Sequence, residues 1–188
     1  MRIVFATGNP HKLQELKEIA GNTDIKFILP PEGFNPTENG STFEENSLIK
    51  AQEAARLSGE ISLADDSGLC VEALNGEPGI HSARYDTTPQ KRIDKLLNAL
   101  KDEKNRKAKF VCAMTLVSEK GKILFQTTGE CHGEIAQSQK GLNGFGYDPI
   151  FLVSGTNITM AEMSEEEKNK ISHRGRALRK VLEYLSEQ

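Results

Sequence analysis

The sequence has little that would place it among secreted, membrane-spanning or polyanion-binding proteins. Cysteine is scarce: Cys70, Cys112 and Cys131 are odd in number and far apart. They form no CxxC pair, so they match neither a disulfide framework nor a cysteine-built zinc site, and they read as small packed residues in a reducing cytoplasm. A basic excess is missing as well. The 24 Lys and Arg are outnumbered by 27 Asp and Glu, for a net charge of −3. That excludes a general nucleic-acid or anionic-membrane binder and leaves open a local basic cluster for phosphate. Long apolar runs are absent, and the opening MRIVFATGNPHK is polar by its seventh residue, which predicts neither a signal peptide nor a membrane span. The histidines His11, His81, His132 and His173 lack metal-ligand spacing, against zinc. No GxxxxGK[ST] phosphate loop occurs either.

What is present is an alternation of strand and helix signals. Arg2 to Thr7 reads as a buried strand. Gly8 turns the chain, Asn9 and Pro10 read as N-cap and first helical residue, and Leu13, Leu16, Ile19 and Ala20 give an apolar face ending at Gly21. Ile25 to Leu29 is a second strand, and residues 30–41 a Pro, Gly and Asn-rich loop. Thr42-x-x-Glu45 is a capping box for a helix that runs to Gly59. Ile61 to Ala64 forms a strand predicted to end in Asp65-Asp66-Ser67-Gly68. An irregular stretch over 75–90 precedes a helix from Pro89. Phe110–Val117 and Ile123–Gly129 flank a turn as a hairpin. A glycine-rich loop covers 141–146, Ile150 to Val153 is a short strand, and Ser164-x-x-Glu167 caps a further helix. At 188 residues, this order predicts one α/β domain or two tightly merged lobes around a mixed sheet with flanking helices.

Four constellations carry candidate chemistry, each with a plainer alternative. Thr7-Gly8-Asn9-Pro10-His11-Lys12 places a helix N-terminus, hydroxyl and amide groups and a lysine where phosphate could bind; it could equally be an ordinary βα turn. Asp65 and Asp66 at a strand end are costly unless neutralised, and Mg²⁺ does so through one or two carboxylates plus substrate phosphates. A turn capped by these carboxylates is the alternative. A dehalogenase-type pair needs its second Asp two positions on, which the contiguous pair lacks. Only one of two adjacent strand residues should face the metal. Phe145, Gly146, Tyr147 and Asp148 offer close backbone approach and a stacking face for a base, or an aromatic turn that anchors a loop. Lys168, with Ser172-His173-Arg174, offers charge and a planar donor fork for phosphate or a purine edge, or a solvated basic helix end.

Taken together, TGNPHK, TFEEN with Lys50 and Ala51, LADDSGL, PGIHSARY, NGFGYDPIF and EMSEEEKNKISHRGRAL resemble the inosine triphosphate pyrophosphatase family, also called dITP/XTP or non-standard purine NTP pyrophosphatases. The resemblance spans about Arg2 to Leu185 with the motifs in order. It implies a two-lobed α/β homodimer over residues 1–188, with its active site in a cleft between lobes, using Mg²⁺. It further implies hydrolysis between the α and β phosphates of dITP, ITP or XTP to a monophosphate and pyrophosphate. By matching positions, Thr7, Gly8, Asn9, Pro10, His11 and Lys12 would bind the triphosphate. Asp66 would be the catalytic carboxylate, and Ser67 a substrate contact. Phe145, Gly146, Tyr147, Asp148, Lys168, His173 and Arg174 would hold base, sugar and phosphates. Glu38 matches a metal-ligand position beside Asp66, with Glu45 as local competitor. His81 and Asn143 depart from the family pattern, where tyrosine and glycine are frequent.

On this reading Asp66 orients and deprotonates water, Asp65 supports it, and Lys12 and Lys168 stabilise the leaving pyrophosphate. Donors from His173 or Arg174 would favour a 6-oxo purine over adenine. Two rivals remain at this stage: a phosphatase that removes the terminal phosphate, and a non-catalytic nucleotide sensor. The acidic pair argues against the sensor, because it repels a triphosphate unless a metal intervenes.

Overall fold

Apolar, β-branched residues form the first strand, β1 (Arg2–Phe5), whose Ile3, Val4 and Phe5 are buried. The computed structural model describes all residues, Met1–Gln188. In it β1 turns directly into helix α1 (Pro10–Ala20), followed by β2 (Lys26–Ile28), α2 (Phe43–Ser58) and β3 (Ser62–Val71). Two 3₁₀ turns lead to α3 (Pro89–Ala99), then β4 (Lys107–Val117), β5 (Ile123–Ile135), β6 (Phe151–Val153), α4 (Glu165–Ile171) and α5 (His173–Ser186). The strands make one six-stranded sheet in the order β2-β1-β3-β4-β5-β6. The β1 strand pairs parallel with β2 and β3, while β5 pairs antiparallel with β6. The sheet is therefore mixed, as the alternation of βα units with a central hairpin requires. No helix is long and apolar enough to cross a membrane.

Local signals account for most boundaries. The Asn9 side chain accepts from the His11 amide, Pro10 takes the first helical position, and the Gly21 amide closes α1 onto the Lys17 carbonyl. Ser164 and Glu167 cap α4 reciprocally, as the spacing predicts. Three expectations need correcting. Thr42 caps α2 by accepting from the Glu45 amide, but the Glu45 carboxylate turns outward to the Ser41 amide and hydroxyl, so only half of that capping box forms. The β3 strand does not end at the acidic pair. It continues through Ser67 and Gly68 to Val71, because Leu69 and Val71 supply two further fully buried positions on the pleat. The β5 strand likewise extends past Gly129 to Ile135, where alternate residues Cys131, Gly133 and Ile135 are buried.

The chain forms two compact units, and β3, β4 and β5 run through both. The first comprises Met1–Ser67, Cys112–Gly129 and His173–Gln188. Its core has Phe5, Leu16, Leu63, Met114 and Leu178 in one cluster, and Val4, Ala51, Ala54, Ala55 and Ala64 in another. Alanines on α2 let that helix lie close against the sheet. Gly129 does the same for α5: a Cβ there would meet the His173 carbonyl and come within 2.6 Å of the Ala177 amide nitrogen. The second unit comprises Gly68–Val111 and Glu130–Ser172. Its core gathers Leu69, Leu96, Phe110, Ile150, Phe151 and Met160.

Candidate functional site

Asp65 and Asp66 are neighbours on β3 and point to opposite faces, as the pleat demands. They meet quite different partners in the first unit. Asp65 is 1% exposed. Its carboxylate accepts from Lys12 Nζ at 3.1 Å, from Arg174 Nε and Nη2 at 3.2 and 3.1 Å, and from Ser67 Oγ at 3.0 Å. Burial pushes this carboxyl up, but the positive charges of Lys12, Arg174 and Lys50 outweigh it and hold the group well below the usual carboxylate range. Beside it, burial and the Asp65 charge push the Cys112 thiol up to about 12.

Asp66 is almost as deeply buried, yet poorly satisfied. Its Oδ1 accepts from Lys50 Nζ at 3.1 Å, while its Oδ2 is buried with no hydrogen-bond partner. Burial raises its carboxyl above the ordinary range; Lys50 opposes that shift and loses, and Glu38 adds to it. Glu38 Oε2 lies 3.0 Å from the same Lys50 ammonium, so two carboxylates share one cation. The loop carrying Glu38 is tied to α2 by the Gly40 amide, which donates to Asn46 Oδ1 at 2.8 Å. Glu45, by contrast, is exposed and occupied by Ser41. Of the two acidic candidates, Glu38 is the one that shares a partner with Asp66.

Lys50 is the residue that sequence reasoning missed. It lies on the i, i+4 row Asn46–Lys50–Ala54 of α2, buried along its length. A lysine on a buried helical stripe is the signal that could have found it. Burial works against its charge, but Asp65, Asp66 and Glu38 together raise its pKa, so it stays an ammonium. Glu15 on α1 was also missed. It forms an ion pair with Arg174 Nη1.

That pairing gives Arg174 partners inside the protein. The first turn of α5 carries it inward, 2% exposed, and its guanidinium is given to Asp65, Glu15 and Ser67. It is not a solvated helix end. Its role visible in the structure is to fix Asp65. His173, the first residue of α5, is buried beside it.

The β1–α1 turn lies in the same unit. Thr7 is buried, and its Oγ1 accepts from the Asn9 amide at 3.0 Å, while Asn9 Oδ1 accepts from the His11 amide at 3.0 Å. Gly8, Pro10 and His11 are exposed. Nothing lies within 4 Å of a Cβ placed on Gly8, and its φ is not positive. Neither packing nor backbone conformation therefore asks for glycine there. Thr7, Gly8 and Pro10 border an open cavity of about 370 Å³ that Phe34 also lines.

The second unit holds the remaining candidates. Asp148 is buried and receives Lys168 Nζ at 2.7 Å and the Phe145 amide at 3.1 Å, both on Oδ2. The Lys168 ammonium also lies 4.7 Å from the centre of the Phe145 ring. Phe145 is half-buried between Gly144 and Gly146, both at positive φ. Tyr147 departs from the expectation of a stacking residue: it is packed in the core, and its hydroxyl donates to the Ser82 carbonyl at 2.8 Å. Its aromatic neighbour Phe145 is the ring left partly open.

The donor set of the first unit suits a hard divalent cation. An unpartnered carboxylate oxygen on Asp66 and a second carboxylate on Glu38 are what Mg²⁺ uses when it keeps waters and phosphate oxygens for its other positions. No group of three or more His, Cys, Asp or Glu side chains forms a metal cage.

Comparison with known proteins agrees along the whole chain. The model of the Ham1 family matches residues 3–184. A dITP/XTP pyrophosphatase of Prochlorococcus marinus is 48% identical over 185 residues, which cover 98% of this chain and 94% of the relative. A Ham1 protein from Coxiella burnetii superposes with a TM-score of 0.89 at 42% identity, covering 100% of both chains. The Ham1 protein of Staphylococcus aureus gives the same TM-score and identity over 99% of this chain and 98% of its own.

Proposed function

From the fact that this chain belongs to the Ham1 family, we propose that it hydrolyses non-standard purine nucleoside triphosphates such as dITP, ITP and XTP. Water adds across the α–β phosphoanhydride, that bond breaks, and a nucleoside monophosphate and pyrophosphate leave. The enzyme works with Mg²⁺, as a homodimer, in the cytoplasm. The observation that carries the reading is the split fate of the acidic pair. Asp65 is saturated by cations, while Asp66 keeps a buried oxygen with nothing to hold.

The chain's residues divide the work accordingly. Asp66, raised above the ordinary carboxylate range by burial, is the better proton acceptor of the two, and it orients and deprotonates the attacking water. Lys50 donates to that carboxylate and holds Glu38 to the same point. Glu38 and Asp66 would hold Mg²⁺, which when bound neutralises charge on the phosphate oxygens. Arg174 and Glu15 act behind the site by fixing Asp65. Asp65 in turn holds Lys12 within reach of the turn at Thr7–Asn9, where the helix N-terminus and the unobstructed Gly8 backbone favour phosphate. In the second unit the half-open Phe145 ring and the Lys168 ammonium are suited to a base and an anionic oxygen. Selectivity needs a donor opposite the 6-oxo group. Each donor left unpaired against adenine costs about 1–3 kcal/mol. His173 and Arg174 are the candidates for that donor.

The deciding assay follows pyrophosphate and orthophosphate from ITP, dITP, XTP, GTP and ATP, with and without Mg²⁺. Pyrophosphate from ITP and XTP, with ATP slower by about 30-fold or more, is the expected outcome. Orthophosphate as the first product would replace this reading with a terminal phosphatase. No turnover with Mg²⁺ would leave only a nucleotide sensor.

A further inference from the structure

The glycine-rich loop over residues 141–147 presents Phe145 and leads into Asp148, so its position decides where both stand. Glycine at 144 and 146 supplies the left-handed turns on either side of the ring. Gly144 also leaves room that a side chain would take from the Asp148 carboxylate. Glycine frees the loop but cannot hold it. Its hold comes from the segment at 159–163, within the same unit. The Thr159 hydroxyl donates to the Lys140 carbonyl at 2.6 Å, and the Asn143 amide donates to the Ala161 carbonyl at 3.0 Å. Gly141 packs so closely on Ala161 that a Cβ would collide with its backbone. The receiving segment is itself rigid: Met160 and Ala161 are fully buried, and Thr159 and Glu162 cap the turn reciprocally.

One contact in this seam belongs to a side chain at a position where the resemblance leads one to expect glycine. Asn143 Nδ2 donates to the Met163 carbonyl at 2.9 Å. Met163 immediately precedes Ser164, the N-cap of α4, and α4 carries Lys168, which binds Asp148. The contact therefore closes a ring: loop, Met163, α4, Lys168, Asp148, and back to the Phe145 amide. Asn143 does not take a positive φ, so its backbone does not call for glycine. A glycine there would lose the clip and gain chain freedom.

We infer that Asn143 is a positioning residue, whose side-chain amide clips the glycine loop to the start of α4 and so sets Phe145 and Asp148 for the substrate. The inference rests on the proposed function for its kinetic consequence, but the clip can be judged without it. Asn143→Ala removes the donor, and Asn143→Asp keeps the shape while setting an acceptor against the Met163 carbonyl. Asn143 is exposed at the surface, so both variants should melt within about 4 °C of the parent. Expected is a rise in KM for ITP of about 3- to 10-fold, the range one net hydrogen bond supplies, with kcat within about twofold. Amide hydrogen exchange at Asn143 and Phe145 should quicken by a similar factor in the free protein. Unchanged exchange in both variants would overturn the clip. Faster exchange with an unchanged KM would overturn its bearing on substrate. If the parent cleaves no triphosphate, the proposed function fails, and the exchange rates still decide whether Asn143 holds the loop.

Discussion

Replacing each of two adjacent aspartates by asparagine should separate stability from activity. Asp65→Asn removes the charge that compensates Arg174 and Lys12 inside the first unit. Breaking a buried ion pair from one side costs about 3–5 kcal/mol. Arg174 retains Glu15, and the new amide oxygen still accepts, so the lower end of that range applies. About 3 kcal/mol in a chain of this size lowers Tm by about 6–12 °C. Asp66→Asn removes a carboxylate whose Oδ2 makes no hydrogen bond and whose charge burial opposes, while Lys50 keeps Glu38. Its stability should change by no more than about 1 kcal/mol, within about 4 °C in Tm. Its turnover of ITP should nevertheless fall by at least about 100-fold, as expected for loss of the group proposed to take the proton. Calorimetry and pyrophosphate release on the two purified variants give both readouts. If Asp66→Asn melted as early as Asp65→Asn, or Asp65→Asn melted with the parent, the division between an anchoring and a working carboxylate would be wrong.

Acid unfolding should report the same anchor. The folded pKa of Asp65 lies below its unfolded value, so the stability it contributes is complete above about pH 4 and lost as pH falls further; Asp65→Asn should show a flatter loss below pH 4 in urea melts. Gly129→Ala should cost about 1–3 kcal/mol by forcing α5 off β5, measured by chemical denaturation. Tyr147→Phe should cost a similar amount by leaving the Ser82 carbonyl unpaired, measured by the same denaturation. Iodoacetamide at pH 8 should modify only half-buried Cys70 in the native protein, and slowly. Cys112, pushed up to about 12, and buried Cys131 should react once urea is added.

Local chemistry made much of the fold legible in the sequence. Asn9-Pro10, Ser164-x-x-Glu167 and the positive-φ glycines are signals whose partners lie within a few residues, so the sequence displays them directly. The course of β3 through Asp65, Asp66, Ser67 and Gly68 was hidden, since residues poor in strand propensity stay in the strand only because distant cations and the buried Leu69 and Val71 hold them there. The same limit governs the candidate site. Asp66 and Glu38 could be pointed out by resemblance, but their shared partner Lys50 comes from a different element and announces itself only as a charge on an apolar stripe. The pairing of Arg174 with Glu15 on α1 joins residues 159 positions apart in the chain, a distance no local pattern spans.

Lys50 gives the protein an ammonium of its own at the point where Glu38 and Asp66 converge. Folding need not wait for a metal to quench those acids, unlike small zinc domains that collapse without their ion. If the proposed Mg²⁺ dependence holds, a chelator should therefore silence this molecule without unravelling it, and the chain can be assembled complete with no ion bound.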